Sequence, residues 1–99
     1  MAALSVMAQQ DSSRVQAYYG FMARKRGDFE SAMGHYRAAL ARDPGNLLAR
    51  SYMGQALAKT GDLDAARAQL SEIRARGGRG TWAEHSLKIA MSSGKTFSY

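Results

Sequence analysis

The chain has 99 residues, a formal net charge of +6, no cysteine, and two histidines, His35 and His85. One domain is the expectation at this length. The missing thiols exclude a disulfide framework and thiolate chemistry, and two histidines alone make a poor transition-metal donor set.

With 45% apolar residues the chain can bury a modest core. No apolar run approaches the roughly 20 residues that a bilayer span needs. The N-terminal residues 1–12 lack the positive region and the length of a secretory leader, although Val6-Met7-Ala8 resembles the small-residue pattern before a cleavage site. They read as a flexible extension, either frayed or the edge of an excised fragment. The compartment stays open, because a cysteine-free chain suits either side of a membrane.

A first helix is expected over residues 13–26. Gly27 can take the left-handed conformation that closes it, and Asp28 can cap the helix that follows over residues 29–42. Pro44, the single proline, stops that second helix by restricting the residue before it. Asn46 can cap a third helix over residues 47–60. Gly61 and Asp62 then repeat the turn chemistry, opening a fourth helix over residues 63–76 that Gly77-Gly78-Arg79-Gly80 breaks. Thr81-Trp82-Ala83-Glu84 has the form of a capping box, in which the threonine hydroxyl accepts from an early amide and the glutamate reaches back. It starts a fifth helix that ends near Ser93, with Gly94 beyond it and a loose tail over residues 95–99.

A shift of 34 residues superposes the chain on itself. Tyr18 falls on Tyr52, Gly20 on Gly54, Lys25 on Lys59, Gly27 on Gly61, Asp28 on Asp62 and Ala32 on Ala66. A fixed period of this size marks stacked helical repeats. The units are residues 13–46, residues 47–80 with the Gly-rich loop, and a closing helix over residues 81–94. Glycine inside a helix costs about 1 kcal/mol against alanine. Its recurrence at Gly20 and Gly54 therefore points to close approach of the paired helix, with Ala32 and Ala66 as the flat spots opposite. Tyr19, Tyr36, Met53, Leu57, Leu70 and Ile73 are expected to fill the space around them.

On these residues the chain resembles the tetratricopeptide repeat family. The glycine, the alanines, the aromatic and the proline of the family pattern stand as Gly20, Ala32, Ala39, Tyr36 and Pro44 in the first repeat. The second keeps Gly54 and Ala66 and has Ile73, Leu70 and Gly78 at the other places. The tryptophan usual early in helix A is replaced by Gln16 and Arg50. The likeness extends to small bacterial members that end in a lone helix, in the cytoplasm or the periplasm. It implies an all-α fold: five helices in tandem helix-turn-helix units, stacked as a right-handed superhelix whose concave face binds a peptide or helix of a partner protein. The family's carboxylate clamp has Ala17, Phe21 and Tyr52 at its positions here, which does not supply its cations and amides.

Register along the A helices gives the candidate groove: Arg14, Ala17, Tyr18, Phe21 and Lys25, then Leu48, Ser51, Tyr52, Gln55 and Lys59, then Trp82, His85 and Ile89. Aromatic rings flanked by cations suit an acidic and apolar protein segment. Two basic clusters, Arg24-Lys25-Arg26 and Arg74 to Arg79, raise an anionic-surface or nucleic-acid alternative. Both sit at helix C-termini, where cations offset the macrodipole, and nucleic acid is not favoured. A third alternative is a self-associating part of a larger repeat array, because two repeats are near the minimum for independent folding. No cofactor is implied, and no spacing suggests a catalytic nucleophile and base. The expectation is a binding module, not an enzyme, monomeric or weakly self-associating.

Overall fold

The computed structural model describes residues 2–93, with side chains described for residues 8–92. Gly27 and Gly61 have φ of 83° and 93°, a region open to glycine at little cost. At each, the glycine amide and the aspartate amide after it turn back onto the preceding helix. Gly27 N–H donates to the Arg24 carbonyl at 2.9 Å and Asp28 N–H to the Ala23 carbonyl at 2.9 Å; Gly61 and Asp62 repeat this on Ala58 and Leu57. The same aspartates then cap the next helix, Asp28 accepting from Ser31 N–H at 3.1 Å and Asp62 from Ala65 N–H at 3.2 Å. Each aspartate thus closes one helix with its backbone and opens another with its side chain.

Five helices result among the described residues: α1 (Ala2–Lys25), α2 (Phe29–Arg42), α3 (Leu47–Lys59), α4 (Leu63–Ala75) and α5 (Trp82–Ser93). Asp43, before the proline, is extended (φ −149°, ψ 93°), and Asn46 caps α3 by accepting from Ala49 N–H at 3.0 Å. One boundary differs from expectation. The helix of the first repeat begins at Ala2, not near residue 13, so residues 2–12 continue α1 and are not a separate extension. No proline or glycine interrupts that stretch, and nothing in it requires a break. The expected glycine stop at Gly94 and the tail over residues 95–99 lie outside the described residues.

The helices pair α1 with α2 and α3 with α4, and α3 also touches α1, α2 and α5. One core cluster joins Ala23, Ala32, Met33, Tyr36, Met53 and Ala56 across the first three helices. A second joins Leu70, Ile73, Ala83 and Leu87. Tyr19 is not part of either; it is about half exposed and lies against His35 of α2, the ring centroids 5.7 Å apart.

The two helix glycines are used differently. A Cβ on Gly20 would stand 2.5 Å from the Tyr36 ring of its own repeat, as close approach of the paired helix requires. A Cβ on Gly54 would meet Leu87 of α5 at 2.7 Å. The expected partner was α4, but Leu70 stands where repeat one has Tyr36, and an aliphatic chain does not reach across as the ring does. The gap is filled from the next helix. Gly54→Leu is therefore expected to push α5 away from α3 and to cost at least about 1–3 kcal/mol in a urea melt, the range of overpacking. Tyr36 is fully buried, and its hydroxyl has no hydrogen-bond partner among the described residues. Burial pushes this phenol up to about 12. Removing an unsatisfied buried group relieves a desolvation cost, so Tyr36→Phe should be neutral or up to about 1 kcal/mol more stable in the same melt.

Candidate functional site

Three A-type helices, α1, α3 and α5, line one side of the stack and enclose a cleft of about 380 Å³. Phe21 and Arg24 come from α1, Tyr52 and Gln55 from α3, and Trp82, His85, Ser86 and Ile89 from α5. Tyr52 is the hub. Its ring centroid lies 5.1 Å from Phe21, 6.1 Å from Tyr36 and 5.9 Å from Trp82, the last edge-on at 83°. Edge-on and offset geometries are those that the ring quadrupoles favour. Burial raises the Tyr52 phenol pKa, an effect that the Arg24 charge partly opposes.

Arg24 forms the cationic floor of this cluster. Although it belongs to a surface-looking run of three cations, it is buried, donates to the Tyr52 carbonyl at 3.1 Å, and lies 5.3 Å and 5.4 Å from the Phe21 and Tyr52 ring centroids. Such a stacked guanidinium keeps its charge while its planar faces are covered by rings. Only its three-residue spacing from Phe21 hints at this in the sequence.

The structure brings Phe21, Tyr52, Gln55, Trp82, His85 and Ile89 together. Gln55 is fully buried and acts as a brace, its amide donating to Ser51 Oγ at 2.9 Å and Ser86 Oγ at 3.2 Å. Ser51 in turn donates to the Ala83 carbonyl at 2.8 Å, tying α3 to the first turn of α5. Lys25 lies beside the cleft with its ammonium 5.5 Å from the Phe21 ring. Other groove candidates stand elsewhere. Arg14 pairs with Asp11 at 3.1 Å on the open surface; Tyr18 is 62% exposed; Leu48 is exposed; Lys59 lines a separate hollow near Phe29 and Thr60. Arg14, Leu48 and Lys59 share a helix face with the cluster but lie about one to two turns along the axis from it, and Tyr18 is turned by about 60° from Phe21. Arg24 and Ser86 were absent from the expected set.

The lip that carries Trp82 is fixed by Glu84. One carboxylate oxygen accepts from Gly80 N–H at 2.9 Å and the other from Arg74 Nε at 2.6 Å. The capping box thus closes one residue earlier than expected. Thr81 N–H is already donated to the Gly78 carbonyl, and the φ of 82° at Gly80 places its own amide in reach. Arg74 and Arg76 of the second arginine cluster are thus both engaged, the latter bonded to Glu72 at 3.0 Å.

The tetratricopeptide repeat family matches residues 23–81, more than half of the chain. The chain belongs to the tetratricopeptide repeat family. It is also similar to a protein of Pseudomonas putida described as a probable biofilm formation methyltransferase WspC, with 38% identity over 68 residues. That stretch is 69% of this chain and 16% of the relative, so the chain spans about a sixth of the protein that it resembles. No solved structure matches it. Tetratricopeptide repeats generally mediate protein–protein interaction, and the helices that line the cleft are those that repeat stacking places side by side. Among the described residues no helix is long and apolar enough to cross a membrane.

The Gly80 amide first, and then Arg74, hold the Glu84 carboxyl below its ordinary value of 4.5. A lowered folded value means that the ionised form favours the fold. Its contribution is complete above 4.5 and is lost as pH falls through the lowered value. Glu84→Gln should therefore be less stable than the parent at neutral pH. The gap between their melting temperatures should shrink as the buffer is taken from about pH 7 to about pH 3.

Proposed function

We propose that this chain is a non-catalytic protein-interaction module that takes an acidic and apolar segment of another protein into the cleft between α1, α3 and α5. The observation that carries this reading is the convergence of Phe21, Tyr52 and Trp82, one ring from each A-type helix, over the buried Arg24 guanidinium. Trp82 is 54% exposed although it is the largest side chain of the wall, which makes it the natural anchor surface for an incoming apolar residue. Arg24, Lys25 and the overall charge of +6 favour a carboxylate next to that residue.

An anionic-surface reading has weaker support. Arg74 and Arg76 are occupied by Glu84 and Glu72, and Arg24 is turned inward. No methyl-transfer chemistry is carried over from the Pseudomonas relative, five-sixths of which has no counterpart in the matched stretch.

Trp82 is the single tryptophan, so its fluorescence reports on the cleft directly. Titration with short peptides holding one or two apolar residues flanked by aspartate or glutamate should change that emission, with micromolar affinity at about −8 kcal/mol or weaker. In an NMR titration the shifts should fall on α1, α3 and α5, and Trp82→Ala should weaken binding by at least about tenfold. Shifts confined to α2 and α4, or affinity unchanged in Trp82→Ala, would remove the cleft from consideration. A loss of binding that follows the steep salt dependence of phosphate contacts would favour the anionic-surface reading instead.

A further inference from the structure

The outer side of α1 carries Val15, Tyr18, Tyr19 and Met22, which are 48%, 62%, 49% and 43% exposed. Four large apolar or aromatic side chains at this spacing form one stripe on a helix. The repeat register shows what kind of surface this is. Thirty-four residues on, the same positions are Ala49, Tyr52, Met53 and Ala56 on α3. Ala49, Met53 and Ala56 are buried, and Tyr52 is partly buried against Phe21 and Tyr36. On α3 the stripe is therefore the face covered by the preceding hairpin. On α1 the equivalent face is largely exposed among the described residues, with the His35 ring of α2 against one edge, 5.7 Å from the Tyr19 ring.

The stripe is also self-complementary. At about 100° per residue, Asp11, Val15, Tyr18, Tyr19, Met22 and Arg26 all fall within about 50° of one line along the helix. Arg26 continues the last turn, its N–H donating to the Met22 carbonyl at 3.2 Å. Read about a centre between Tyr18 and Tyr19, the order is acidic, apolar, aromatic, aromatic, apolar, basic. An antiparallel copy of the same helix would set Val15 against Met22, Tyr18 against Tyr19, and Asp11 against Arg26, each pair occurring twice. A two-fold contact requires this arrangement, the same patch serving both partners. Asp11 and Arg26 are both exposed; Asp11 also pairs with Arg14 at 3.1 Å, but that pair lies on the open surface, where such pairs are weak, so opposite charges would still meet at both rims of the apolar strip.

We infer that the open face of α1 is a homodimer interface in which the α1 helices of two copies pack antiparallel around Tyr18 and Tyr19. The partner is a second copy of this chain because the stripe supplies its own charge complement. This interface is separate from the cleft, which is lined from another side of α1.

The test is sedimentation equilibrium on the whole chain across about three decades of micromolar concentration. The parent should pass from monomer to dimer, and Met22→Glu should remain monomeric. Asp11→Arg and Arg26→Asp, each placing like charges opposite one another, should each raise the dissociation constant by about tenfold or more. The double variant carrying both changes restores the opposite-charge pairs and should return to within a few-fold of the parent. All of these sites are exposed, and helical circular dichroism checks that each variant is folded; Val15→Lys replaces any that is not. A parent that stays monomeric throughout overturns the inference and leaves the stripe to a helix of another protein. A dimer insensitive to Met22→Glu places the contact on a different face. Single charge variants that weaken the dimer without rescue in the double variant rule out the antiparallel register.

Discussion

Close approach to α3 is the constraint on which the rest of the structure depends. This helix touches each of the other four. It can do so because its buried surface is made largely of small side chains, Ala49, Ser51, Gly54 and Ala56. Interhelical distances follow the side chains at the contact, and a helix crowded on several sides cannot carry large residues on all of them. Gly54 is the extreme case, with Leu87 seated where a Cβ would be. The buried polar groups obey the same logic. Ser51 and Gln55 lie in the interface with α5, and their hydrogen bonds to the Ala83 carbonyl and to Ser86 make the close contact polar but satisfied. A comparable tie holds the other end, where Ser13 donates to the Ala39 carbonyl at 2.7 Å and receives Asn46 Nδ2 at 2.9 Å.

The cleft is a consequence of that packing. Trp82 reaches the edge of Tyr52 because α5 is drawn onto α3 by Leu87 and Ser51, and Tyr52 reaches Phe21 because α3 is drawn onto α1 and α2 by its small face. A buried cation would ordinarily be expensive. Arg24 is accommodated by two ring faces and a backbone carbonyl that also hold it in place. Elsewhere, Arg50 meets burial differently. Its Nε donates to the Pro44 carbonyl at 2.9 Å and its other nitrogen to Gln69 at 3.0 Å, linking the α2–α3 loop to α4, while desolvation lowers its pKa. One arginine is used to seat rings and the other to staple a loop.

The period of 34, the Gly-Asp turns, the asparagine cap and the proline stop were legible in the sequence because each is a local event governed by a few neighbouring residues. The helix bounds followed from them, except at the start of α1, where the repeat register stops at residue 13 but the helical backbone does not. The site was legible in part. Phe21, Tyr52, Gln55, Trp82 and His85 could be grouped by register, since stacking places equivalent positions side by side. Arg24 could not, because its repeat equivalent is Ala58 and its neighbours in the chain are exposed cations. The partner of Gly54 was equally hidden. The choice between Leu70 and Leu87 depends on how far each side chain reaches across a gap, and periodicity carries no information about reach.

The angular position of each residue on α1, together with its height along the axis, sets which neighbours it meets. Residues such as Ala17, Gly20 and Ala23 point toward α2 and the core and are buried. Phe21 and Arg24 are turned by about 110° and 170° from the midline of the outer stripe and meet α3. Val15, Tyr18 and Met22 face away from both, while Tyr19 borders α2 with its ring centroid 5.7 Å from that of His35. Tyr18 lies at the border of the last two sectors, which is why register alone assigns it to the groove and its exposure does not. A helix divided in this way can support a cleft on one side and a contact on another without either competing for the same side chains. Two copies joined through the outer stripe would each keep the cleft open. A partner offering two suitable segments would then gain from the raised effective concentration at the second site, a gain that a single cleft of about 380 Å³ cannot supply.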